Sequence, residues 1–150
     1  LELELTESAF LAGSETLMAL LGELRQLGVR VALDDFGTGY SSLAYLQALP
    51  LNTLKIDRSF VMDLAGDGAA GKPGAIVHTI VQLAQAIGAD TVAEGVESEA
   101  QRQRLIELGC RVGQGYLFSR PITAAEAARV ADETLKHNPL PGSSHWAGLH

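Results

Sequence analysis

Cysteine is nearly absent from this sequence: Cys110 stands alone among 150 residues. No intrachain disulfide can form, and a reducing cytoplasm is the expected setting. As a lone residue opening a strand, Cys110 reads as a small buried apolar group rather than a nucleophile. Basic residues are few as well, with 11 Lys and Arg against 18 Asp and Glu and a formal net charge of −7. No basic stripe exists, so a nucleic-acid polymer is not an expected partner. A small anionic ligand held through metal ions stays open. No apolar run reaches membrane-spanning length, so direct membrane insertion by this segment is not expected. Any membrane anchoring of a parent protein would come from upstream domains. The N-terminus lacks a basic region followed by an apolar one, so no signal-peptide pattern is expected in this stretch. No His and Cys set has zinc spacing. What remains is 47% hydrophobic residues in a chain of single-domain length, enough for a globular core.

LELEL (1–5) alternates with period two, setting Leu1, Leu3 and Leu5 on one face and Glu2 and Glu4 on the other. A helix follows, with Ser14 as N-cap, Leu17, Leu20, Leu21, Leu24 and Leu27 as its apolar stripe, and Gly28 as its stop. VRVALDD (29–35) is an apolar strand ending in two acids. A short helix over about 41–49 ends at Pro50, and TLKID (53–57) is a third strand. GDGAAGKPG (66–74) reads as a flexible surface loop. Ile76, Ile80, Leu83, Ala84 and Ile87 then mark a helix closed by Gly88, followed by a strand TVAEGV (91–96). Ser98-x-x-Gln101 is a capping box for a helix stopping at Gly109. RVGQGYLF (111–118) is the fifth strand, and Thr123-x-x-Glu126 caps a last helix to about Lys136.

One unit recurs in LGVRVALDD, IGADTVAEG and LGCRVGQG: a helix end, a stop glycine, a strand, and a polar residue at the strand's end. Such alternation implies βαβ units and a parallel sheet, either doubly wound or closed as a barrel. The barrel fits better, because acids or amides end nearly every strand and would converge on one mouth. The fold expected is α/β, a partial TIM-like (β/α) barrel of about five parallel strands alternating with helices. A complete barrel needs about eight strands and roughly 200 residues or more, so the chain reads as the C-terminal part of one. Residues 1–136 form that part and 137–150 a flexible tail. Open sheet edges predict a homodimer or other association through them.

Glu4, Asp34, Asp35 and Glu94 fall at or near the ends of three strands. Carboxylates converging there repel unless cations intervene, and all-oxygen ligands suit Mg²⁺ or Mn²⁺. Adjacent aspartates can serve two ions, and paired ions suit in-line displacement at phosphorus. Lys55, between Leu54 and Ile56, points into the barrel if those two face the helices. Buried there, it needs the carboxylates or a phosphate as partner. Gln114 is a neutral donor and acceptor at the fifth strand's end. Phe36, Gly37, Thr38, Gly39, Tyr40 and Ser41 form a loop beside the acids that could serve as a lid. Glu7 and Glu97 each lie three residues after an inferred ligand and are candidates to anchor it. Two other readings fit the same residues. Strand-end acids can be solvated helix caps, and a Mg²⁺-carboxylate barrel can instead stabilise an enolate.

LELTES, DDFGTGYSSL, LKIDRSFV, VAEGVE and QGYLFSRP, in this order over residues 1–128, closely resemble the EAL domain of cyclic di-GMP phosphodiesterases. The resemblance implies a TIM-like barrel that hydrolyses cyclic di-GMP to linear pGpG with two Mg²⁺ or Mn²⁺ ions. It implies metal ligation by Glu4, Asp34, Asp35 and Glu94, with Asp34 between the ions, and it makes Lys55 and Glu94 the catalytic residues. Lys55 would orient or activate the attacking water, and Gln114 would lie near the substrate. Glu7 would hold the glycine loop used for metal-dependent regulation and dimer coupling. Two features of the family are missing: the glutamate-alanine-leucine motif and a metal-binding asparagine, both expected before Leu1. The isolated chain is therefore expected to be nearly inactive, with activity residing in an intact parent domain. A receptor that binds cyclic di-GMP without hydrolysing it is the alternative.

Overall fold

The computed structural model describes residues 1–7, 15–39, 46, 49–65 and 71–137. Five strands form one parallel sheet in sequential order: β1 (Glu2–Thr6), β2 (Arg30–Phe36), β3 (Thr53–Ile56), β4 (Asp90–Ala93) and β5 (Val112–Gly113). Helices α1 (Glu15–Gln26), α2 (Arg58–Met62), α3 (Lys72–Ile87), α4 (Glu99–Glu107) and α5 (Ala124–His137) alternate with them. This is the partial (β/α) barrel that the sequence predicts. None of the described helices is long and apolar enough to cross a membrane.

Period-two alternation divides the sheet into a dry face and a wet one. Val31, Leu33, Leu54, Ile56 and Ala93 turn toward the helices and join a core with Leu21, Val61, Val77, Val81, Ala84 and Leu105. On the other face the register carries Glu2, Arg30, Thr53 and Asp90 at the strands' starts. The Arg30 guanidinium joins these, donating to Glu2 at 3.0 Å, Thr53 at 3.4 Å and Asp90 at 3.2 Å. The same face ends in Glu4, Asp34, Lys55 and Glu94. Cys110 is fully buried in the core, and burial pushes its thiol pKa up, as suits an unreactive apolar filler. Leu54, wholly buried in the central strand, is a direct probe of this packing. Leu54→Ala is expected to lower stability by about 3 kcal/mol, measured by urea unfolding.

Several local expectations need correction. On α1, Leu21 is buried and Leu17, Met18 and Leu24 pack against the core, whereas Leu20 and Leu27 are 50% and 80% exposed. Leu20 sits off the 17–21–24 stripe, and Leu27 lies beyond the helix end. On α3 the buried face is Gly74, Val77, Ile80, Val81 and Ala84. Leu83 and Ile87 are partly packed, and Ile76 points outward. The GDGAAGKPG segment is not all loop, because Lys72, Pro73 and Gly74 begin α3. Proline suits a helix's first turn, where its missing N–H has no partner to lose. Residues 66–70 lie outside the described part, as do Ser14, Tyr40, Ser41, most of the 41–49 helix, and 138–150.

β5 is two residues long rather than eight. Beyond Gln114 the chain folds into a turn, with Phe118 N–H donating to the Gly115 carbonyl at 3.1 Å. Both capping boxes are present. Ser98 and Gln101 satisfy each other's backbone at the start of α4, and Thr123 and Glu126 do so ahead of α5.

Candidate active site

The site is built at the strands' C-terminal ends. β3 alternates Leu54 and Ile56 into the core, so Lys55 must face the other way, toward the charged side of the sheet. It is buried, and three carboxylates from three strands close on it: Glu94 Oε1 at 2.7 Å, Glu4 Oε1 at 2.9 Å and Asp34 Oδ1 at 3.0 Å. Burial alone would lower the Lys55 pKa. The hydrogen bonds to Glu94, Glu4 and Asp34 outweigh it and push the pKa up. Among these carboxylates Lys55 is held in its cationic form, as a hydrogen-bond donor.

Glu94 follows β4, its backbone N–H bound to the Ile56 carbonyl at 3.0 Å. Its Oε1 also accepts from Gln114 Nε2 at 2.8 Å, which sets Gln114 beside the acids. Burial pushes the Glu94 carboxyl up while Lys55 pulls it back. Asp34 and Asp35 end β2. Asp35 takes a left-handed backbone with φ 54°, and its N–H donates to Asp34 Oδ1 at 3.2 Å. This bend turns both adjacent side chains toward one space, which a regular strand would forbid. Desolvation, then the charges of Asp34 and Asp57, push the Asp35 carboxyl up.

Asp34, Asp35 and Glu94 bring carboxylate oxygens within 4.8 Å of one another. Glu4 stands apart from that trio and meets it through Lys55. A concentration of hard anionic oxygens, already drawing in one ammonium, fits a divalent cation. Asp57 is a neighbour that sequence reasoning passed over. It caps α2 through Ser59 N–H at 3.0 Å while its charge bears on Asp35. Its place directly after the inward Lys55 strand was the available signal.

Around the acids, Glu7 is buried at 3% exposure and its Oε2 accepts from Gly39 N–H at 3.1 Å. Its Oε1 is buried with no hydrogen-bond partner among the described residues. Thr38 hydroxyl donates to the Asp35 carbonyl at 2.9 Å, and Phe36 is buried in the core, so the described part of the loop is tied to both sides. Gly37 lies against the Phe60 ring. Glu97, a candidate to anchor this same loop, pairs with Arg58 at 2.6 Å. The reason is proximity, since the β4–α4 turn lies next to α2. Beside Glu94 and Gln114 opens a cleft of ≈ 570 Å³, walled by Arg58, Glu97, Tyr116 and Arg120. The Arg120 guanidinium stacks over the Tyr116 ring at 5.0 Å. Sequence reasoning named neither.

The EAL domain family model matches residues 1–121. The cyclic di-GMP phosphodiesterase NbdA of Pseudomonas aeruginosa is 50% identical over 125 residues, covering 83% of this chain and 16% of NbdA. The chain therefore spans about a sixth of that relative's length. The crystal structure of the EAL domain of Mycobacterium smegmatis DcpA superposes with a TM-score of 0.80 at 43% identity, covering 88% of this chain and 58% of that one. A manganese and cyclic di-GMP complex of Klebsiella pneumoniae BlrP1 superposes with a TM-score of 0.71 at 36% identity, covering 80% and 30%. With matches of this extent, and with the ordered motifs converging on one carboxylate site, the chain belongs to the EAL domain family.

Proposed function

We propose that the domain carrying this chain hydrolyses cyclic di-GMP to linear pGpG in the cytoplasm, using two Mg²⁺ or Mn²⁺ ions. The observation that carries this is Lys55, buried and ion-paired to Glu4, Asp34 and Glu94, the last two of them shared with the Asp34–Asp35–Glu94 trio. A wholly structural sheet would have no reason to gather so many charges at its site end. Residues 1–136 are assigned to the barrel domain.

Hydrolysis to pGpG joins a water oxygen to phosphorus, breaks the P–O3′ bond and leaves a water-derived proton on the freed 3′ oxygen. Glu4, Asp34, Asp35 and Glu94 would hold the ions, with Asp34 shared between them. When bound, such ions make water more acidic and neutralise charge on phosphorus. Lys55 would donate to the water and to the phosphoryl oxygens, orienting the one and drawing charge from the other. Gln114 fixes the Glu94 carboxylate and faces the cleft, where one half of the dinucleotide would rest. Glu7 holds the glycine loop against the site, a link through which loop motion would reach the acids.

We also propose that this chain associates through its sheet: among the described strands β1 lies at an edge with Leu3 exposed, and either the remainder of the domain or a second copy would cover it. The decisive experiment is product chromatography of the full-length protein with cyclic di-GMP and Mn²⁺, with Glu94→Ala as control. Formation of pGpG that falls about a thousandfold in the control is the expected result. Binding without turnover by the unaltered protein would replace the enzyme with a receptor.

A further inference from the structure

The turn after β4 delivers Glu94 to the site, and two glycines let neighbouring segments close on that turn from opposite sides. On one side is Gly115. A Cβ there would collide with the Val96 backbone. Its absence lets Val96 N–H donate to the Gln114 carbonyl, and Leu117 N–H to the Val96 carbonyl, both at 3.0 Å. On the other side is Gly95, with φ 66°. A Cβ there would run into the aliphatic stem of Arg58, which lies across the glycine. The Arg58 guanidinium then reaches Glu97 Oε1 at 2.6 Å. Stem and head together span Gly95 to Glu97, two residues inside the turn that begins with Glu94.

We propose that Arg58 is a positioning residue for Glu94, holding the 94–97 turn so that the carboxylate keeps its aim. This rests on the reading of Glu94 as a site carboxylate. The contacts that carry this role are those of Arg58 with Gly95 and Glu97. Lys55 and Gln114 both bind the same oxygen, Oε1 of Glu94. They fix one end of the carboxylate and leave rotation about that end, which the backbone at 94–95 must limit. The ion pair is about half exposed on both sides and by itself stabilises little. Its use is directional, because it keeps the stem lying on Gly95. Misplacement of a site group by about 1 Å can slow a reaction by about a hundredfold, so a weak clamp has a large kinetic lever.

The test uses the full-length protein with Arg58→Ala, Arg58→Met and Arg58→Lys. Amide hydrogen exchange over 94–98 is measured without metal, Mn²⁺ affinity by electron paramagnetic resonance, and kcat and KM with cyclic di-GMP. In Arg58→Ala, exchange at Val96 and Glu97 should quicken about tenfold, Mn²⁺ should bind about fivefold more weakly, and kcat should fall about tenfold with KM little changed. Arg58→Met keeps the stem and should fall between Ala and the unaltered protein, while Arg58→Lys should restore most of the loss. Should the alanine variant not fold, the methionine variant is read in its place. Exchange and Mn²⁺ affinity equal to those of the unaltered protein would overturn the proposal. If the unaltered protein hydrolyses no cyclic di-GMP, the proposed function fails, and the exchange and Mn²⁺ measurements still decide the role of Arg58.

Discussion

Lys55→Met in the full-length protein is expected to lower kcat about a thousandfold while leaving Mn²⁺ binding intact at mildly alkaline pH. The methionine fills most of the lysine's volume but abandons Glu4, Asp34 and Glu94 to mutual repulsion. Bound cations would offset that repulsion, so Mn²⁺ should raise Tm more in the variant than in the unaltered protein. The pH dependence follows from Glu94. Its carboxyl is pushed up by burial, and Lys55 is the group that restrains it. Removing Lys55 lifts that pKa further. Protons then compete with the ion to higher pH, so Mn²⁺ binding is lost earlier on acidification. Turnover within a few-fold of normal, with the acid limb of Mn²⁺ binding unmoved, would strip Lys55 of its assigned role.

Asp35→Asn should weaken Mn²⁺ binding by about a hundredfold with Tm almost unchanged. The choice of asparagine matters. Position 35 has φ 54°, a region that Asn and Asp enter readily and alanine does not. The amide therefore keeps the bend and deletes only the charge, whereas Asp35→Ala would confound ligand loss with backbone strain. Asp35 is exposed, so little packing is disturbed. Isothermal titration with Mn²⁺ on both proteins decides it, and equal affinity would remove Asp35 from the site.

The strands were legible because period-two alternation separates residues bound for the core from those bound for the site, as in Leu54-Lys55-Ile56. Helix starts were legible where capping chemistry is local, as at Ser98 and Thr123. Stripe membership was less so. Leu20 and Ile76 match a loose helical period, yet the sheet's position selects Leu21 and Val77 instead. The length of β5 depends on Val96, which is distant in sequence and backs onto Gly115. No pattern within 111–118 carries that information. The acids Glu4, Asp34, Asp35 and Glu94 stood out in the sequence because each lies in or just after the last part of a strand. Asp57 was obscured by its second use as a helix cap, and Arg58 by the ordinariness of an arginine on a helix's first turn. The partnerships of Glu7 with Gly39 and of Glu97 with Arg58 are matters of three-dimensional distance alone.

The strictly sequential strand order bears on how the sheet comes into being. Each strand hydrogen-bonds to the one before it and the one after it in the chain, so no described strand waits for a distant segment to be made. Loop-closure entropy is met in small instalments rather than in one long search. Chain synthesis runs in the same direction and at a pace of about 5–20 residues per second, slow beside the pairing of neighbouring strands. As Lys55 emerges, the Glu4 and Asp34 strands can already stand ready beside its own. Glu94 arrives later, so the charged end of the sheet would be neutralised in stages on the ribosome, and an arrest between β3 and β4 would leave Lys55 with two of its three carboxylates.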